Sequence, residues 1–119
     1  MRTSDLLIAV DYATAQFPYA EQAGIPEDTY SAKIVGFAEH EDWEGSYVDI
    51  YYDAENETGR YMFRVRHDLD SEEYEALLQN LSDAGYAGKP LEAAAGYYEI
   101  ATLSYDSLGR GYISDRCTL

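Results

Sequence analysis

Leu6, Leu7, Val10, Ala13, Thr14 and Phe17 recur at three- and four-residue steps behind Thr3-Ser4-Asp5. That is the pattern of an amphipathic helix with an N-cap, and it ends near Phe17-Pro18. Ala20 to Asp28, with Gly24 and Pro26, carries no period and reads as a loop. The period then becomes two, and strands are predicted at Tyr30 to Glu39, Ser46 to Asp53 and Gly59 to His67. In the second, Val48, Ile50 and Tyr52 alternate with Tyr47, Asp49, Tyr51 and Asp53. In the third, Tyr61, Phe63 and Val65 alternate with Arg60, Met62, Arg64 and Arg66. One face of each strand is assigned to the core and the other to water. Ala54 to Gly59 makes a polar hairpin turn, and a register centred there sets Asp53 near Arg60 and Asp49 near Arg64.

After Asp70-Ser71-Glu72-Glu73 the longer period returns. Asp70 is read as N-cap, Tyr74, Leu77, Leu78 and Leu81 as the apolar stripe, and Gly85 as the stop. Leu91, Ala94, Tyr98, Ala101, Tyr105, Leu108 and Tyr112 extend the spacing behind Pro90, and a third helix is predicted from about Pro90 to Leu108. A strand at Tyr97 to Tyr105 competes, since the segment has high β propensity and Gly96 interrupts the helix. Gly109-Arg110-Gly111 closes the element and leaves a short tail. The expected fold is α+β: a helix, a three-stranded antiparallel sheet, then two helices packed on one sheet face.

The length of 119 residues suits one domain over 1–119. With no run of 18 apolar residues and no cleavable leader pattern, a soluble, cytoplasmic protein is expected. The lone cysteine, Cys117, has no internal disulfide partner, which fits a reducing compartment.

Charge changes the picture most. There are 23 acids against 8 bases, a net charge of −15. Phosphate binding depends on clustered Lys and Arg, so direct contact with nucleic acid is not expected, nor is an anionic membrane surface. Acidity also serves plain solubility. The 13 tyrosines offer apolar area with a polar tip, which suits surfaces buried on binding and is compatible with a homodimer.

Candidate chemistry is sparse. Glu39-His40-Glu41-Asp42 has ligand-type side chains, but consecutive strand residues point to opposite faces and do not converge on one ion. His67-Asp68 resembles an oriented base, without a Ser, Thr or Cys in a nucleophile-like context. No phosphate-cradling glycine motif occurs. No catalytic residue, metal or cofactor is assigned, and the chain is not read as an enzyme.

One constellation remains. Glu39, Glu41, Asp42, Glu44, Asp49, Asp53, Glu55 and Glu57 run without a Lys or Arg and are interleaved with Trp43, Tyr47, Tyr51 and Tyr52. Same-face strand residues lie roughly 6.6 Å apart, so Asp49 and Asp53 with their turn neighbours would form a negative ridge like a phosphate backbone. Aromatics beside it would provide desolvated anchors. In charge and in the expected order of elements, the chain resembles phage-encoded anti-CRISPR inhibitors that fill the DNA groove of a CRISPR nuclease by mimicking duplex DNA. The resemblance implies an inhibitor in the host bacterial cell that binds a basic nucleic-acid-binding protein, such as a CRISPR effector or a restriction-type nuclease. The partner-binding residues would be Glu41, Asp42, Trp43, Glu44, Asp49, Tyr51, Asp53, Glu55 and Glu57. A second expectation is an immunity or adaptor module that binds through a tyrosine-rich helical face with Tyr97, Tyr98 and Tyr105.

Overall fold

A computed structural model describes residues 16–118, with side chains through Cys117. The predicted first helix therefore lies outside the described residues except for its last positions. A short helix, α1 (Ala20–Ala23), precedes three strands, β1 (Asp28–Asp42), β2 (Gly45–Asn56) and β3 (Gly59–Asp68). Then come helix α2 (Glu72–Leu81) and strands β4 (Tyr98–Tyr105) and β5 (Gly111–Thr118). The five strands form one sheet in the order β3-β2-β1-β4-β5, antiparallel throughout.

The three predicted strands exist and are longer than the apolar alternation alone marks. Val48, Ile50 and Tyr52 are buried with Phe63 and Val65, as their period of two requires. The β2–β3 register differs by two residues from expectation: Asp49 faces Arg66 and Asp53 faces Met62. A slip of two keeps every side chain on its face, so Arg60 still reaches Asp53 diagonally, its Nε donating to Oδ1 at 2.8 Å.

The expectation of three strands with two helices on one face is overturned by the C-terminal third. Instead of a helix from Pro90 to Leu108 there is one 3₁₀ turn at Leu91–Ala94, ended by Gly96 at φ 96°, and then β4. The spacing of Ala101, Tyr105 and Leu108 fits a helix, but Glu99, Ala101 and Leu103 also alternate inward, and tertiary context decides between the two periods. The edge of β1 from Asp28 to Lys33 has backbone groups that need partners, and β4 supplies them. The expected tail is β5, joined through a turn in which Asp106 Oδ1 accepts from the Leu108 and Arg110 amides, both at 2.9 Å.

Two smaller expectations also change. The segment read as a loop contains α1, closed by Gly24 in the left-handed region. The N-cap of α2 is Ser71, not Asp70: Ser71 Oγ accepts from Tyr74 N at 3.2 Å. Leu77 and Leu81 of α2 are buried against the sheet, each contributing about 2 kcal/mol by burial, while Leu78 stays 41% exposed. The sheet curls so that its edge strands β3 and β5 approach one another, with α2 touching both. No helix among the described residues is long and apolar enough to cross a membrane.

Candidate interaction surface

β2 carries most of the predicted site, and its alternation sorts those residues. On the outer sheet face Asp49 is only 1% exposed and Tyr51 only 6%. The segment before α1 lies over them: Tyr19 Oη is 2.9 Å from Asp49 Oδ1 and 2.8 Å from Oδ2, and the Phe17 ring stacks on Tyr51. The Pro18 carbonyl accepts from Arg64 N at 2.9 Å and so occupies part of the β3 edge. His40 Nε2 sits 3.2 Å from Asp49 Oδ2, close enough for charge attraction but off the line of a hydrogen bond. Burial pushes the Asp49 carboxyl above its ordinary range, against the Tyr19 hydrogen bond and nearby positive charge. Asp53 is held by Arg60, whose hydrogen bond draws its carboxyl below the usual range.

The expected continuous ridge is therefore absent at its middle. Glu41, Asp42, Trp43 and Glu44 remain exposed around the β1–β2 turn, and Glu55 and Glu57 around the β2–β3 turn. Most of the length of β2, from Gly45 to Ala54, separates the two groups, by roughly 36 Å at a strand's rise per residue. Asp42 is partly engaged: its Oδ1 accepts from Glu44 N at 2.8 Å and Gly45 N at 3.1 Å, and its Oδ2 lies 3.6 Å from Arg66.

Several of the described basic residues are engaged by carboxylates or aromatic rings of the fold. Arg66 bonds Asp68 at 2.9 Å and stacks over Tyr47, 3.8 Å from the ring centre. Arg64 lies 4.0 Å from the Tyr19 ring centre. Lys33 and Lys89 lie over the rings of Tyr98 and Tyr86.

Arg116 is in the core, where no reading of the sequence placed a functional side chain. Its Nη2 is 3.0 Å from Glu99 Oε1, 2.7 Å from Tyr52 Oη and 3.2 Å from His67 Nε2, and Nη1 donates to the Glu73 carbonyl at 2.6 Å. One guanidinium thus ties together β2, β3, β4, β5 and α2. His67 Nδ1 lies 3.0 Å from the Val65 carbonyl and donates to it when the ring is neutral, leaving Nε2 to accept from Arg116. Desolvation, then the Arg116 charge, lowers the His67 pKa to about 3, so the ring is neutral. Burial raises the Glu73 pKa to about 7 although its Oε2 accepts from Ile113 N at 2.8 Å. Glu73 also lines an open cleft of about 590 Å³ beside β5 and the β4–β5 turn.

Acid, base and hydroxyl meet in this cluster, but His67, Glu99 and Tyr52 are fully buried, and Nε, Nη1 and Nη2 of Arg116 each already bond a group of the fold. Its chemistry is that of a cross-link. His67 was singled out in the sequence by its neighbour Asp68, which instead binds Arg66. Glu99 and Arg116 are polar residues at inward positions of two strands, one expected as helix and the other as a short tail.

The tyrosines of the second expectation do not share a face. Tyr105 donates to the Ile25 carbonyl at 2.5 Å and Tyr97 packs on the core, while Tyr98 is 47% exposed on the other side. Among the described residues, no group of three or more His, Cys, Asp or Glu is placed to hold a metal ion. No protein-family model, curated protein or solved structure matches this chain. The order of elements on which the anti-CRISPR resemblance was drawn is not the order found, so what is left of that resemblance is the charge.

Proposed function

We propose that the protein is a non-catalytic inhibitor that binds a basic, nucleic-acid-binding protein of bacterial defence and competes with nucleic acid for its phosphate-binding surface. The observation that carries this reading is the segregation of charge. Arg60, Arg66 and Arg116 are spent on Asp53, Asp42, Asp68 and Glu99, while Glu41, Glu44, Glu55 and Glu57 stay exposed. Those four acids take part in none of the ion pairs among the described residues, so a net charge of −15 is presented through unpaired surface carboxylates. A field of that kind speeds encounter with a basic groove and repels nucleic acid itself.

The test is capture from bacterial lysate at low salt, followed by elution with duplex DNA or with high salt. The expected eluate is a nucleic-acid-binding protein displaced by DNA, whose retention falls steeply with ionic strength. Reversing Glu41 and Glu44 to lysine weakens capture by about tenfold in a folded variant, each lost charge contact contributing of order 1 kcal/mol. A partner that resists high salt and is indifferent to DNA would refute the proposal.

A further inference from the structure

The two acidic ends of the β1–β2–β3 meander are not equivalent. At the β1–β2 turn Trp43, the single tryptophan of the chain, is 91% exposed and takes no part in the core. The turn that carries it is fixed in advance by the two amide bonds to Asp42 Oδ1, so little further ordering is required on binding. Leu69, in the β3–α2 turn, is 44% exposed, and its amide lies 3.5 Å from the carbonyl of Ser46, three residues past Trp43. Leu69 and Ser46 are shared by two shallow clefts of about 340 and 390 Å³, one reaching Glu39 and Glu41, the other Glu44 and Asp70. At the β2–β3 end Glu55 and Glu57 have no aromatic as exposed as Trp43: Met62, opposite Asp53, is 40% exposed, and the Tyr61 ring is half-buried with its hydroxyl 3.2 Å from Thr58 Oγ1.

We propose that the β1–β2 turn is the anchor of the interaction, with Trp43 and Leu69 desolvated against a partner surface whose arginines stack on the indole and pair with Glu39, Glu41, Glu44 and Asp70. The inference rests on the acidic-inhibitor reading and names the chemistry of the partner at that site. Arginine is favoured over lysine because a planar guanidinium can lie on an aromatic face and bind a carboxylate at once. The fold already uses this arrangement next to the site, where Arg66 lies over Tyr47 while bonded to Asp68. Charge alone would make the two ends of β2 equal; the exposed aromatic on a rigid turn is what distinguishes one of them.

Trp43 reports on its own site. A short labelled oligoarginine peptide is titrated into the protein at low salt, with binding read from the label's anisotropy and local burial from tryptophan emission. The emission is expected to shift to the blue on binding. Trp43→Ala is expected to weaken binding by about fivefold or more, the range of a partly desolvated cation–aromatic contact. Glu41→Lys with Glu44→Lys should weaken it more than Glu55→Lys with Glu57→Lys, and oligolysine should bind less tightly than oligoarginine. Absence of peptide binding, binding with unchanged emission, a Trp43→Ala effect within about twofold, or greater sensitivity at Glu55 and Glu57 each overturns the anchor. An emission that shifts with protein concentration alone would assign the turn to a second copy of the chain and overturn it as well. The competing-inhibitor reading fails separately, if the partner captured from lysate is not displaced by duplex DNA.

Discussion

Replacing Arg116 by methionine removes the guanidinium from a site that is 9% exposed and leaves the Glu99 carboxylate, 0% exposed, without its counter-charge. Tyr52, His67 and the Glu73 carbonyl lose a donor in the same step. Breaking a buried ion pair from one side costs about 3–5 kcal/mol. The orphaned acceptors place this case at the upper end, about 5 kcal/mol, against a total stability of roughly 5–15 kcal/mol for a domain of this kind. Arg116→Met combined with Glu99→Leu removes both charges and keeps an apolar volume, so the double variant is expected to recover about 2 kcal/mol or more. The assay is urea unfolding followed by circular dichroism for the wild type, both single variants and the double, closed as a thermodynamic cycle. If Arg116→Met unfolds outright, Glu99→Gln, which keeps the shape, supplies a measurable single variant. A loss under about 1 kcal/mol for Arg116→Met, or a double variant no more stable than that single one, would refute the account of this cluster as a charge-compensated cross-link.

Glu73 and His67 give stability opposite dependences on pH. The Glu73 pKa, raised to about 7, means that its contribution is present below its ordinary value near 4.5 and is lost as pH rises to about 7. The His67 pKa, lowered to about 3, means the reverse: stability is full above about 6.5 and is lost as pH falls toward 3. Between pH 4.5 and 6.5 the two slopes oppose each other, so Glu73→Gln should leave a curve that falls more steeply than the wild type on acidification. Parallel curves for the two proteins in urea titrations across that window would contradict the assignment. Tyr19→Phe deletes the hydroxyl that bonds the nearly buried Asp49, and an expected loss of about 1–3 kcal/mol in the same assay should shrink when Asp49→Asn is added. Tryptophan emission of the free protein should be that of a solvated indole, since Trp43 is 91% exposed; a blue-shifted band at high dilution would place the β1–β2 turn elsewhere.

The sequence alone determined the β1–β2–β3 meander, because a strand's period of two is local and each turn, Trp43-Glu44 and Glu57-Thr58, is followed by the glycine that opens the next strand. It determined α2 in the same way, apart from the choice of cap and the place of Leu78, which stays outside the buried stripe. It also marked Trp43 and its acidic neighbours, whose exposure at a turn depends on nothing distant. The tertiary structure decided whether Tyr98 to Tyr105 became helix or strand, because its residues satisfy both periods and only the open edge of β1 chooses between them. It decided that Asp49 is sheltered and Asp53 neutralised, since a carboxylate's exposure depends on what lies over its face: Tyr19 in one case and Arg60 in the other. It decided, finally, where Arg116 goes: an arginine two residues past Ser114 reads as surface, and only a curled sheet that brings β2, β3, β4 and α2 around it makes burial of its charge tolerable.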